Sequence, residues 1–167
     1  MEENGWSIVK KEPEETNWFL RFLTKHKRRR IIHDPINKLP YMFRYFLLFR
    51  DRDGSEEKHN PKFNVFFHKI VQSDLYDLHD HPFWYFTIIL KGGYWEYTPK
   101  GKFWRGPGHM RLSRPKSLHR LEVEQNRPCY TLFFRFKRVR SWGFLHRGRW
   151  IDNKTYLAGR YYDETTI

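Results

Sequence analysis

Leu78-His79-Asp80-His81-Pro82 runs directly into residues 83–90, FWYFTIIL, and on through Gly92-Gly93 into 94–98, YWEYT. The two runs are aromatic and β-branched and are joined by a glycine pair, which predicts two strands and a turn. In an extended chain, residues two apart stand on one face about 7 Å from each other. His79 and His81 therefore predict two imidazoles on the same face. Neutral imidazole nitrogens suit iron, zinc, nickel, copper or manganese.

A third ligand is expected from residues 118–124, LHRLEVE. This run alternates: His119, Leu121 and Val123 share one face, and Arg120 and Glu122 take the other. His119 thus lies on the apolar face that should look inward with His79 and His81. Tyr85 has the parity of the two histidines and is expected inside with them. Glu96, beyond the glycine turn, is a candidate fourth ligand. Arg111 and Arg114 lie just before His119, where they could hold a substrate carboxylate or phosphate by a bidentate contact.

Further out the chain reads as many short strands between Gly/Pro turns. They fall at 41–50, 63–71, 102–105, 109–112, 130–136 and 141–151, with a helical turn at 153–158 and a polar loop at 51–61. That texture is all-β, a sandwich or barrel. Before it, residues 1–12 read as a loose arm, and 13–30 as a helix opened by Pro13 and closed by Lys25 to Arg30. The whole chain has 167 residues, enough for one domain, expected to run from 13 to 167 with the barrel at about 41–151.

Aromatic residues make up 19% of the chain, so the core must be built largely from rings. The net charge of +13 predicts attraction to acidic small molecules or polyanions. Near the C-terminal end Arg135, Lys137, Arg138, Arg140, Arg147 and Arg149 interleave with Phe136, Trp142, Phe144 and Trp150, a pattern that also occurs in single-strand nucleic-acid binders. The single cysteine, Cys129, excludes an internal disulfide and is read as a packed residue. The N-terminus MEENGWSIVKKEPEE holds no apolar signal core, and no apolar run could span a bilayer, so a soluble, cytoplasmic protein is expected. Gly-rich phosphate loops, a Gly-x-Ser-x-Gly elbow and Cys-x-x-Cys pairs are absent.

His79-Asp80-His81, with Gly92 or Gly93 at the following spacing, resembles the first motif of the cupin superfamily. Pro115-Lys116-Ser117-Leu118-His119 resembles the second, without its usual glycine and with Val123 in place of an asparagine. The family's usual glutamate is replaced here by Tyr85 or Phe86. More narrowly, HDHPFWYFTIILKGGYWE, PKSLHRLE, PCYTLFF and SWGFLHRGRWI look like small bacterial and phage cupin-domain proteins of unestablished reaction, some likened to cysteine dioxygenase.

The resemblance implies a cupin-type double-stranded β-helix, or jelly-roll, barrel with an N-terminal helix, in a cytoplasmic protein that includes phage or viral proteins within a host cell. It implies a mononuclear site, Fe(II) first and zinc, nickel or manganese otherwise. A tri-histidine set with no carboxylate is similar to that of thiol dioxygenases, with Tyr85 as the residue acting beside the metal on a small anionic substrate. The alternative is a non-catalytic cupin module whose basic surface binds nucleic acid or another acidic partner. A metal-free sugar-nucleotide epimerase or isomerase is the third reading. Monomer and dimer both stay open.

Overall fold

Strand β5 (Phe83–Lys91) shows how the barrel is made. Phe83, Tyr85, Thr87 and Ile89 are buried while Trp84 and Leu90 face outward, a strict two-residue alternation. The computed structural model describes residues 17–49 and 61–160, so the arm at 1–12, the helix start at Pro13 and the loop at 51–60 lie outside the described residues.

Six antiparallel strands form the larger sheet, in the order β1 (Arg29–His33), β2 (Pro40–Phe46), β3 (Phe63–Ile70), β10 (Cys129–Arg138), β5 and β8 (Met110–Ser113). Two three-stranded sheets complete the barrel. One is β12 (Arg149–Asp152), β11 (Gly143–His146) and β4 (Leu78–His79). The other is β7 (Gly101–Arg105), β6 (Tyr94–Thr98) and β9 (Arg120–Glu122). This is the cupin-type jelly roll that the sequence leads one to expect.

One end of the interior is apolar, formed by Met42, Ile70, Ile89, Tyr94, Leu121, Val123 and Cys129. Each such side chain contributes about 1.5–3 kcal/mol on burial. Cys129 is fully enclosed there, and burial pushes its thiol up to about 12, so it is the inert packed residue expected. The other part of the interior is polar and holds the histidines described below.

The N-terminal helix α1 (Trp18–Lys25) is shorter than the expected 13–30 segment. Asn17 caps it, its side-chain oxygen accepting from the N–H groups of Phe19 and Leu20. Leu20 and Leu23 pack on the outer side of the large sheet against Phe43 and Tyr45. The helix ends early because Lys27 turns left-handed, at φ 54°. Arg29 and Arg30, expected in the last helical turn, instead open β1, whose register against β2 pairs Arg29 with Tyr45 and Arg30 with Arg44. The 141–151 segment is likewise two strands, turned at Arg147-Gly148, where both residues have positive φ. The turn at 153–158 begins with the short helix α2 (Asn153–Thr155).

Candidate metal centre

His79 ends β4, His119 immediately precedes β9, and the two are tied directly by their backbones. The N–H of His79 donates to the His119 carbonyl at 2.8 Å, and the N–H of His119 donates back at 2.9 Å. Such a reciprocal pair sets two side chains on one face. The N–H of His81 donates to the Pro115 carbonyl at 3.0 Å, which draws the third histidine to the same place. Ring centroids lie 5.1 Å apart for His79 and His81, 4.9 Å for His79 and His119, and 5.0 Å for His81 and His119. One ligand nitrogen from each falls within 4.8 Å of the other two, and the Nε2 atoms of His81 and His119 are 2.8 Å apart. These three histidines form a set that can hold one divalent metal ion.

Asp80, between the two motif histidines, points the opposite way. It is 2% exposed and accepts from the Gly143 N–H at 2.8 Å, from Trp150 Nε1 at 3.0 Å and from the Arg140 guanidinium. The alternation His-Asp-His therefore divides the labour: two side chains face the site and the middle one anchors the segment to β11 and β12. Gly143 is required at this junction, because a Cβ there would lie 2.1 Å from the Ile151 carbonyl oxygen.

Carboxylates stand behind two of the three rings. Asp74 Oδ2 is 3.8 Å from His79 Nδ1 and accepts the Leu121 N–H at 2.6 Å, while Asp74 Oδ1 accepts from the Tyr41 hydroxyl. Glu96 Oε1 is 3.3 Å from His119 Nδ1. A carboxylate hydrogen-bonded at Nδ1, as Glu96 is to His119, fixes the tautomer that presents Nε2 as a ligand, whereas Asp74 stands beyond direct hydrogen-bond reach of His79. Glu96 is thus behind His119 and not beside it, so the expectation of a fourth ligand gives way to an orienting role. The reason is its ion pairing: Arg105 donates to it at 3.0 Å and Arg111 contacts it directly.

Electrostatics favour neutral rings. Burial lowers His79 to about 4, partly opposed by Asp74. Burial, then the neighbouring His119 and His79, then the Arg44 charge hold His81 well below the ordinary histidine range. Burial would raise Glu96, but the His119 hydrogen bond, the Arg111 charge and the Arg105 hydrogen bond win and hold it at about 2. His79 and His81 are thus held as neutral nitrogen donors, and with His119 they make an imidazole set of a chemistry that fits a divalent ion.

Tyr85 faces the histidines as expected. Its hydroxyl is 3.5 Å from His119 Nε2, and its ring centroid is 4.8 Å from that of His81. Burial pushes the hydroxyl up to about 12 against the lowering effects of Ser113 and Arg111. Phe86, the other residue that could have taken the glutamate slot, has the outward parity and packs against Phe134.

The two expected substrate arginines are otherwise engaged. Arg111 points inward but pairs with Glu96. Arg114 lies outside, its guanidinium 5.9 Å from the centroid of the outward ring of Trp84. The motifs alone do not single out a further inward arginine, Arg44. Register places it opposite the buried His68. Its Nε–H donates to His68 Nε2 at 3.1 Å, and the guanidinium lies 4.8 Å from the Phe66 ring centroid. The signal is present in 41–50, since Arg44 alternates with Met42 and Phe46. The C-terminal cations do not form one surface: Arg135 is buried over Phe83, and Arg140 reaches Asp80.

No protein-family model matches the chain. No curated protein matches it in sequence. Among solved structures it is similar to a cupin-superfamily sugar phosphate isomerase from Silicibacter pomeroyi DSS-3, at TM-score 0.47 and 12% identity over 62% of this chain and 65% of that one. It is also similar to the polyketide cyclase RemF from Streptomyces resistomycificus, at TM-score 0.47 and 16% identity over 73% and 82%. The Fe(II) form of HppE matches at TM-score 0.49 and 11% identity over 66% and 57%. The matched part thus spans less than two thirds of the isomerase and of HppE. The strand order and the inward His-x-His decide the matter. The chain has the cupin fold. Among the described residues, no helix is long and apolar enough to cross a membrane.

Proposed function

We propose that this cupin holds one divalent ion on His79, His81 and His119, Fe(II) ahead of zinc, nickel or manganese, and acts as a dioxygenase-like enzyme on a small anionic substrate. The observation that carries the reading is the convergence of three histidine nitrogens within 4.8 Å of one another. Three neutral ligands leave an ion its full charge and open positions. When bound, the ion would supply O₂ activation and electrophilic attraction for the substrate anion.

The chain's own residues do the rest. Glu96 holds the His119 ring in its ligand tautomer, and Asp74 places a carboxylate behind His79. The Tyr85 hydroxyl stays protonated through neutral pH and can donate to an anion lying over the histidines. Arg44 adds a permanent positive charge on the inner wall and takes the anchoring role first expected of Arg111 or Arg114.

The test is elemental analysis of untagged protein, wild type against His81→Ala, with oxygen uptake measured on a panel of small carboxylates and thiol carboxylates. Stoichiometric metal that is lost in the variant, with carboxylate-dependent uptake in wild type, supports the reading. The same trace metal in both proteins ends it.

A further inference from the structure

The outer face of the β7–β6–β9 sheet carries a second arrangement, remote in chemistry from the histidines. Register sets Trp104 beside Trp95 and Lys102 beside Tyr97, with Arg120 on the other flank of Tyr97 and Glu122 on the other flank of Trp95. The face thus sets three rings beside two cations and one acid across three strands. The Trp95 and Trp104 centroids are 5.4 Å apart. Lys102 Nζ lies 4.9 Å from the Trp95 centroid and 4.7 Å from that of Tyr97. The Arg120 guanidinium lies 4.8 Å from Tyr97 and 5.6 Å from Tyr76. At the two ends of this row stand the accessible rings, Trp104 at 45% exposure and Tyr76 at 90%.

The platform is fixed in place. Trp104 lies so close over the backbone that a Cβ on Gly93 would come within 2.5 Å of its ring. The one acid on the face, Glu122, is held by the Tyr97 hydroxyl at 2.8 Å, Lys102 at 3.2 Å and Arg120 at 3.5 Å. Exposed flat rings bind flat faces, and cations set between them suit a charged backbone. Two cations against the one acid leave the face net positive, a charge that a neutral sugar would not use. A polyanion of unstacked bases satisfies both, and the net charge of +13 attracts it from a distance.

We propose that this face binds single-stranded nucleic acid, with bases stacking on Trp104 and Tyr76 and phosphates lying along Lys102 and Arg120.

The experiment uses the full chain and fluorescence anisotropy of a labelled oligothymidylate and an oligouridylate, at low salt and as salt is raised. Tyr76→Ala, at a residue too exposed to hold up the fold, and Trp104→Ala should each weaken binding about 5- to 100-fold. Trp104→Phe should keep most of it. Lys102→Ala with Arg120→Ala should flatten the log–log salt slope by about 0.7 for each phosphate that is no longer neutralised. His81→Ala should bind as wild type, which separates this surface from the metal centre. No binding at low salt, unchanged affinity in Tyr76→Ala and Trp104→Ala, or capture of a neutral oligosaccharide or anionic vesicles in place of the oligonucleotides would each overturn the proposal.

Discussion

His79 and His119 exchange both of their backbone hydrogen bonds, at 2.8 and 2.9 Å, although they lie far apart in the chain. The ligand pair is therefore built by the strand ladder itself, and the side chains follow from it. His81 joins them through one backbone bond to Pro115 and stands between β4 and β5, so its side chain can be removed without altering a strand residue.

From this follows the first prediction. His81→Ala should fold with near wild-type stability and lose more than about 100-fold in metal affinity, since two remaining ligands hold a divalent ion poorly. Chelator competition on the refilled protein checks it. Affinity within a few-fold of wild type would remove His81 from the ligand set.

The second concerns the carboxylate behind His119. Glu96→Gln keeps the shape and one acceptor oxygen but loses the charge that pairs with Arg105 and Arg111 and that strengthens the hydrogen bond at His119 Nδ1. Metal affinity should fall about 10- to 100-fold, the usual effect of altering an outer-shell partner of a metal histidine. If Glu96 were itself a ligand, the loss would match that of His81→Ala, and the same competition assay tells the two apart.

Much of this is legible in the sequence. The two-residue period in 83–90 and 118–124 puts Tyr85, His119 and Leu121 inside with no knowledge of the partner strands. What alternation cannot supply is register across the barrel. Which carboxylate backs which histidine, and that Glu96 absorbs Arg111, depend on β6 lying between β7 and β9 and facing β8. The Lys25–Arg30 run misleads for a local reason. Cations at a helix end and at a strand start look alike in sequence, and the left-handed Lys27 that separates them carries no mark of its own.

Gly143 gives a third test. With Ala at this position the new Cβ would sit 2.1 Å from the Ile151 oxygen, so the β11–β12 hairpin must shift and the Asp80 anchor must loosen. A buried carboxylate left short of donors is costly. Gly143→Ala should lower stability by about 3 kcal/mol and weaken metal binding as a consequence. Urea denaturation of the metal-free protein measures the first effect apart from the second. A loss under about 0.5 kcal/mol, the range of ordinary surface changes, would mean that the hairpin is not the anchor.

The pH dependence has a definite sign. Burial, then the Arg44 charge, hold His68 well below the ordinary histidine range. Below about pH 6.5, the usual value for a free histidine, the unfolded chain takes up a proton at this residue and the folded chain does not. Stability is therefore complete above that pH and declines as pH falls. His79 and His81 add to the slope in the metal-free protein, so the informative quantity is a difference. His68→Gln retains an acceptor for Arg44 and should be less acid-sensitive than wild type, by up to about 1.4 kcal/mol per pH unit. Parallel curves of urea midpoint against pH for the two proteins would show that His68 is not held neutral.

Tyr85 stands in the slot where the motif it resembles carries a glutamate, with its hydroxyl 3.5 Å from His119 Nε2. A carboxylate there would add a negative charge against the ion and take one of its positions. The tyrosine does neither, so a bound ion keeps more positive charge and more room for an anionic ligand. Tyr85→Glu should leave metal content equal or raised, because it adds a donor, and should weaken the binding of added azide at least tenfold. Tyr85→Phe should hold the same metal and bind azide only a few-fold more weakly, since it removes one hydrogen bond and no open position. Metal analysis with titration of the Co(II)-loaded proteins by visible absorption reads both effects. Should Tyr85→Glu bind azide as wild type does while keeping its metal, the open position does not lie on the Tyr85 side, and the comparison with carboxylate-free dioxygenase sites loses its basis.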